Sequence, residues 1–447
     1  MEFQTDFCTE RYALSATWAD FPEKVQTYAT MCGIDLMTAL ILGSYGKQFE
    51  SGRNLAKAMN LMGDIPIVGD DATTYNLLGA AIAMGHSSNS FDIDDGFRAI
   101  CGHPGTSFVA GVLAAAAKQN CSWREYLTTL VVCYELSIRW ALAMQDHYQF
   151  LHSTGAYGAF GTAVGVGRLL GFGELQLNNA LSIADFHAPM TPVMRAVEYP
   201  SMNKDGVPFG ALTGMMAVLE TVNGSTGRTH LLEMPEYRCH LDNLGKTYHI
   251  LDLYFKPFTC CRWAHQPILG IQKLKAEHPF QASEVEHVRV NTFESAARLS
   301  RIVPRNTDEA QYNIAFPVAS ALVFGDVGFN QIRDEALNHP EVLDLMKRLE
   351  FEVDPELDRL FPAQRLANVE IRLKDGTVLQ SETCAAPGEP EDPELGLDWI
   401  VAKFKRITAP MLAERDQEEL LGLMIGQPDM KISSLIQKIN AARKRRV

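Results

Sequence analysis

Between residues 155 and 171 glycine stands at positions 155, 158, 161, 165, 167 and 171, interleaved with Ala, Val, Phe and Thr. The segment otherwise reads as a helix, and each glycine weakens a helix by about 0.5–1 kcal/mol relative to alanine. Something must offset that loss. Close approach of neighbouring helix backbones, which small residues permit, does so and constrains the chain to helices packed at short range. A phosphate-binding glycine loop is the competing reading, but no strand precedes these glycines and a dinucleotide fingerprint is excluded.

The surrounding pattern agrees. From Phe21-Pro22-Glu23 apolar residues recur at helical spacing through Val25, Tyr28, Met31, Cys32, Ile34 and Leu36. Further helices are predicted at about 37–45, 51–60, 71–86, 104–118, 123–144, 155–170 and 175–186, so the first half is expected to be all helical. Near Glu284 the period changes. Val285 to Thr292 alternates, and Leu366 to Ser381 reads as two strands joined by Lys374-Asp375-Gly376. Helical stretches at about 309–325 and 340–348 lie between them. The expected fold is mainly α: a large all-helical domain over 1–267, completed by 386–447, and a smaller α+β lid domain over 268–385. Pro387-Gly-Glu-Pro-Glu-Asp-Pro393 serves as the linker.

Forty basic and 54 acidic residues among 447 leave a formal charge of −14. Nucleic-acid binding needs a basic face, so it is not expected, and the basic end Arg443-Lys444-Arg445-Arg446 reads as a solvated helix end. Nine scattered cysteines without a Cys-x-x-Cys pair point to reduced thiols rather than disulfides or a zinc ribbon. The start, Met-Glu-Phe-Gln-Thr-Asp, lacks the order of a signal peptide, and no uninterrupted apolar run reaches membrane-spanning length. A cytoplasmic protein without membrane partners is expected.

The stretch His86 to Ala110 carries the densest chemistry: Asp92-Ile-Asp-Asp95 on a polar helix end, then His103-Pro104-Gly105 opening another helix. An imidazole at a helix N-terminus lies beside unpaired N–H groups that attract carboxylates. The aspartates admit three readings: magnesium ligands as in helical prenyl-transfer enzymes, solvated or capping carboxylates, or partners that set the tautomer and basicity of His103. The first needs a second acidic cluster, and none is evident. His152 precedes the glycine-rich helix and Lys204 lies in a loop; a cap and a solvated amine are their bland readings. Tyr254-Phe-Lys-Pro-Phe-Thr-Cys-Cys-Arg-Trp-Ala-His-Gln-Pro267 brings Lys256, Arg262 and His265 together. Arg262 can grip a carboxylate bidentately and Lys256 adds a point charge, whereas Cys260-Cys261 is read as inert.

Taken together, Asp92-Ile-Asp-Asp95 with His103-Pro-Gly, His152-Ser-Thr-Gly, Lys256-Pro-Phe-Thr-Cys-Cys-Arg-Trp-Ala-His265, the Leu373–Gly376 hairpin and Pro387-Gly-Glu-Pro run in an order that resembles the MmgE/PrpD family over nearly the whole chain. The resemblance implies a homodimeric enzyme of helical domain plus lid, without metal or organic cofactor, acting on a small di- or tricarboxylate. It implies catalytic roles for His103, Asp92, His152 and Lys204, with Lys256, Arg262 and His265 binding carboxylates. Dehydration of a 2-methylcitrate-like hydroxy acid is the first expectation, epimerisation of the iminodisuccinate type the second and cis-aconitate-type decarboxylation the third. Three departures motivate an alternative of another class, a catalytically silent metabolite-binding dimer. Lys204-Asp-Gly-Val-Pro-Phe-Gly210 replaces the usual Lys-x-x-His-x-Gly, Gly96 stands where many members have Thr, and Phe316 falls near a Tyr, so two hydroxyls are expected to be missing.

Overall fold

The computed structural model describes residues 6–443. The first five residues and Lys444–Arg446, on which the reading of the leader and of the basic end partly rests, lie outside the described residues. Arg443, the first residue of that basic run, has its guanidinium over the Tyr45 ring, 4.6 Å from the centroid.

The helices Leu77–Ser88, Pro104–Lys118, Thr154–Leu169 and Val207–Val222 pack against one another as one layer. Here the glycines explain themselves. A Cβ on Gly158 would lie 2.6 Å from Cβ of Ser107, one on Gly161 2.8 Å from the Phe108 ring, and one on Gly165 2.5 Å from Val112. From the facing helix, a Cβ on Gly214 would sit 2.3 Å from the carbonyl oxygen of Ala159. Backbone contact and the dispersion energy of interlocked atoms thus replace the helix propensity that glycine gives up.

Two helices, Glu23–Gly43 and Trp123–His147, are long and apolar enough to cross a membrane, but 83% and 94% of their apolar windows are buried inside the fold. They are core helices of this molecule. The first is continuous where the sequence suggested a break before residue 37. Its polar Asp35 is fully buried and pairs with Lys403 of the Leu397–Thr408 helix at 2.5 Å, tying the C-terminal segment to the N-terminal half.

The expectation that the first half is purely helical needs correction. Met62–Ile67 and Asp70–Tyr75 form an antiparallel hairpin, and the following helix begins at Leu77 rather than at 71. Gly69 takes φ +100° in the turn, and Asp70 caps it by accepting from the N–H groups of Ala72 and Thr73. Alternation over Ile65, Ile67, Thr73 and Tyr75 was present in the sequence but was overrun by the stronger helical period that follows.

The later part of the chain holds a five-stranded sheet. Val285–Thr292 lies between Leu349–Val353, its parallel neighbour, and Leu366–Leu373, which runs antiparallel and in turn pairs with Val378–Gln380 and Cys384–Ala385. The Lys374–Gly376 turn lies where the sequence placed it, with Gly376 at φ +90°. Helix His265–Glu277 packs on the long strand. The predicted helix 309–325 is two helices, Thr307–Gln311 and Ala315–Phe324, and the kink between them sets Tyr312 at the site described next.

Candidate active site

After Ser88 the chain leaves its helix, and Asn89 to Gly102 forms a buried loop rather than a polar helix end. Two devices hold it. Gly96–Phe97 pairs antiparallel with Leu253–Tyr254, which brings the aspartate loop to the Lys256 segment 160 residues away in sequence. Lys403 donates to the carbonyl of Ile93 at 2.7 Å, fixing the loop from behind. Asp92 itself is held at φ +51° and Asp205 at φ +59°, left-handed conformations that non-glycine residues adopt at a cost of about 1–3 kcal/mol.

These segments enclose a cavity of about 230 Å³, lined by Asp92, Cys101, His103, Asp205, Tyr254, Lys256, Cys261, Arg262, Tyr312 and Arg365, with Leu151, Val193, Met194, Val197, Trp263 and Phe361 as its apolar wall. That is smaller than the roughly 300–1,000 Å³ of pockets for drug-sized ligands, and matches a small metabolite.

His103 is the N-cap of the Pro104–Lys118 helix. Its Nδ1 lies 2.9 Å from the backbone carbonyl of Asp95 and 3.4 Å from Oδ2 of Asp94. Both partners only accept, so Nδ1 carries the proton and Nε2 is left to exchange one with a ligand. Asp92 faces that nitrogen, Oδ1 to Nε2 at 3.8 Å. The tautomer is thus set by a main-chain carbonyl, and Asp92 supplies charge on the reactive side.

Lys256 is fully buried and donates to Oδ1 of Asp92 at 2.8 Å and to its carbonyl at 3.1 Å. Burial pushes the Asp92 carboxyl up, but Lys256, His103 and Lys204 outweigh it and hold Asp92 below the ordinary carboxylate range. Burial likewise disfavours the charged Lys256, yet Asp92 and Asp94 raise its pKa above the usual lysine value. Asp205 goes the other way: burial raises its carboxyl, Asp92 adds to the rise, and His103 and the Tyr312 hydroxyl oppose it. Tyr312 donates to Oδ2 of Asp205 at 2.6 Å. The two carboxyls in the wall beside the imidazole are therefore biased in opposite directions, Asp92 toward its ionised form and Asp205 toward its protonated form.

Of the residues singled out from sequence, the structure brings Asp92, His103, Lys256 and Arg262 to the cavity. Arg262 arrives with its terminal nitrogens engaged, by Glu389 at 2.8 Å and the carbonyls of Pro387, Phe255 and Ala386, so it clamps residues 386–389 to the site loop, while its Nε has no partner. His265, fully buried, meets the carbonyl of Cys260 at 3.0 Å and is pushed well below the imidazole range by burial, then by Arg262. Lys204 is buried behind the wall, on the carbonyl of Ser90 and the side chain of Gln311, 3.7 Å from Asp308 and over the Tyr312 ring. His152 packs against Phe150 just outside the lining. Neither of its ring nitrogens completes a hydrogen bond, and burial lowers its pKa.

Near the two positions where hydroxyls were expected to be missing, the cavity is lined by the phenols of Tyr312 and Tyr254. Phe316 is buried with its N–H on the side chain of Asn313, and the phenol at the cavity belongs to Tyr312, one helical turn earlier. A Cβ on Gly96 would lie 2.2 Å from the Tyr254 ring and 2.3 Å from its hydroxyl, so Gly96 is the space that Tyr254 fills. Sequence reading also passed over Asp205 and Arg365. The Asp205-Gly206 pair, a turn dipeptide beside Lys204, was a usable signal for the first; Arg365 offers none locally.

Among the described residues two clusters have ligand atoms close enough for one cation, Asp92-Asp94-His103 and Glu10-His230-Glu233. In the first, the Lys256 ammonium already holds Asp92. In the second, Nε2 of His230 lies 3.0 Å from Oε1 of Glu10, and Oε1 of Glu233 accepts from the Thr9 N–H at 3.3 Å. The nine cysteines are free thiols.

An imidazole with one nitrogen fixed and one free, beside carboxyls of opposite tendency in a small cavity lined by charged groups of both signs, defines a class of site able to exchange a proton with a bound ligand. Comparison with known proteins narrows the class. Models of the MmgE/PrpD N-terminal and C-terminal domains match residues 9–240 and 258–424, and the chain belongs to the MmgE/PrpD family. It is 23% identical over 320 residues to cis-aconitate decarboxylase of Aspergillus terreus, covering 65% of this chain and 64% of that protein. The chain therefore spans somewhat under two thirds of that relative. It is 22% identical over 389 residues to the Mus musculus cis-aconitate decarboxylase, covering 80% and 78%. A cis-aconitate decarboxylase-like protein of Aspergillus oryzae matches at 22% over 465 residues, 94% of each chain.

Proposed function

We propose that this protein is a lyase of the MmgE/PrpD type, in which His103 moves a proton at the carbon next to a carboxylate of a small di- or tricarboxylate. The observation that carries the reading is the imidazole itself, Nδ1 spent on the Asp95 carbonyl and Nε2 free beside Asp92. In the dehydration we place first, Nε2 takes the proton from that carbon and the electron pair moves toward the carboxylate, where Lys256 faces the developing charge. The C–O bond then breaks, and the carboxyl of Asp205 gives its proton to the leaving hydroxyl, which departs as water. Asp92 stabilises the imidazolium. Homodimerisation, a cytoplasmic location and independence of added cofactors belong to the same proposal.

Decarboxylation is the second reading, favoured by the names of the relatives; the same carboxyl of Asp205 would then protonate the carbon that loses carbon dioxide. Incubation with a panel of polycarboxylates in deuterated water, followed by NMR, separates them: alkene with release of water marks the dehydratase, loss of a carboxylate the decarboxylase, and deuterium uptake with inversion an epimerase. His103→Ala is expected to lower turnover by about 10²–10⁴-fold with its melting temperature nearly unchanged. Folded protein without product or exchange on any of the panel would overturn the lyase reading and leave the metabolite-binding dimer.

A further inference from the structure

Two guanidinium groups stack on the phenol of Tyr254, Arg262 at 4.7 Å and Arg365 at 5.4 Å from the ring centroid, and they are spent very differently. The terminal nitrogens of Arg262 are taken by a carboxylate and three carbonyls, and of its donors the buried Nε alone is without a partner. Arg365 is 4% exposed, its Nε has no hydrogen-bond partner, and its polar contacts are the Cys101 sulfur at 3.8 Å and the Tyr254 hydroxyl. Among the described residues no carboxylate lies within ion-pair distance of it; Glu389, which it senses, is held by Arg262. A buried guanidinium with unspent donors is costly to the folded chain unless a ligand completes it. Arg365 stands in the cavity wall with His103, Lys256 and Asp205, at the edge where the cavity meets a second, wider cleft lined by Arg98, Lys273 and Glu391.

The geometry points to Arg365 as the residue that binds a substrate carboxylate remote from the reacting carbon, and so selects polycarboxylates over monocarboxylates. This rests on the lyase reading for the identity of the reacting end, but not for the binding itself. Planar, with a fork of parallel N–H groups, the side chain matches a carboxylate bidentately; Tyr254 holds the plane and Cys101 takes up one donor. Lys256 is engaged by Asp92 and Arg262 by Glu389, so Arg365 is the cavity-lining lysine or arginine that has no protein carboxylate as partner.

The test is calorimetric, with tricarballylate, which has no hydroxyl to lose, and butyrate as probes. Wild type is expected to bind tricarballylate in clear preference to butyrate. Arg365→Gln is expected to lose ten- to a hundred-fold in tricarballylate affinity while butyrate changes less than two-fold, and Arg365→Lys, a point charge without the fork, to recover part of the loss. The unliganded Gln variant is expected to melt no lower than wild type, since an unpaired buried charge has gone; Arg262→Gln, which strands Glu389, is expected to melt lower. Any substrate found in the NMR panel should show a raised KM with kcat within about three-fold in Arg365→Lys. The inference is overturned if wild type fails to prefer tricarballylate, if Arg365→Gln binds it as wild type does, or if Arg365→Gln unfolds and Arg365→Lys binds normally. Failure of turnover alone would overturn the lyase reading and leave this binding result standing.

Discussion

The layer of helices around Thr154–Leu169 and the cavity beside it are built on opposite principles. In the layer, polar side chains are sparse, glycines let backbones touch, and what holds the parts together is contact area. In the cavity, Asp92, Asp205, His103, Lys256, Arg262 and Arg365 are brought out of water within one small space, and two aspartates sit in left-handed conformations. Each buried charge and each strained residue costs stability, and the arrangement persists because the layer over-determines it. The lesson is a division of labour: the region that stabilises carries no chemistry, and the region that carries chemistry is stabilised from outside, by Lys403 behind the aspartate loop and Arg262 beneath the linker.

The boundary between the two runs through Gly155 and Gly206. A Cβ on Gly155 would lie 2.2 Å from the carbonyl oxygen of Gly206, backbone against backbone, and Gly206 follows Asp205 directly. A Cβ on Gly214, deep in the layer, would lie 2.3 Å from the carbonyl of Ala159. Both alanine variants are expected to lose about 1–3 kcal/mol or more by overpacking, read from denaturant unfolding. They should part company in activity. Gly214→Ala keeps its turnover per folded molecule, whereas Gly155→Ala displaces Asp205 and loses at least ten-fold. Equal activity losses in both would break the contrast.

How much of this the sequence disclosed follows the same division. The glycine spacing, the period change near Glu284 and the Lys374–Gly376 turn were legible because each is written in neighbouring residues, and the mainly helical fold with its smaller α+β part follows from them. The hairpin at 62–75 was missed because its alternation is brief and abuts a strong helical run. His103, Asp92 and Lys256 stood out as chemical types beside turn signals. Their partners did not: a phenol was counted missing at Phe316 while Tyr312, at the kink between two helices, lines the cavity, and the vacancy at Gly96 is filled by Tyr254, 158 positions later. Arg262 and Arg365 are the sharpest case. In sequence the first sits among aromatics and prolines and the second is isolated, yet the bonding reverses their promise, since satisfaction of a guanidinium depends on segments more than a hundred residues away.

A smaller effect sharpens the account of what the cavity loop costs. The carboxyl of Asp95 is pushed up to about 8 by burial, with Asp94 and Asp35 adding to the rise and the Tyr134 hydroxyl and Gly105 N–H opposing it. In the unfolded chain it titrates near 3.9. Between about pH 4 and 8 the folded protein therefore holds a proton that the unfolded chain has released, so unfolding free energy falls as pH rises and the penalty is complete above pH 8. Asp95→Asn keeps an acceptor for Gly105 and removes the titration. The melting temperature of the variant relative to wild type is expected to climb steadily from pH 5 to pH 8; a constant offset would show that the loop bears no such cost.

The smallest change is expected at Cys261, the buried one of the two cysteines in the cavity wall. Burial first, then Asp92 and Asp205, push its thiol up to about 12, against the opposing pull of Lys256 and of the Trp263 backbone. At neutral pH the group is a protonated, apolar wall element, and a thiol must lose its proton to act as a nucleophile. Cys261→Ala should therefore retain turnover within about three-fold, and iodoacetamide at pH 7.5 should leave unchanged the activity of a Cys101→Ala variant, which lacks the other thiol of the wall. A hundred-fold loss on either treatment would move the chemistry from the imidazole of His103 to sulfur. The small residual effect expected instead is the loss of packing in a wall that the charged groups depend on for their exclusion from water.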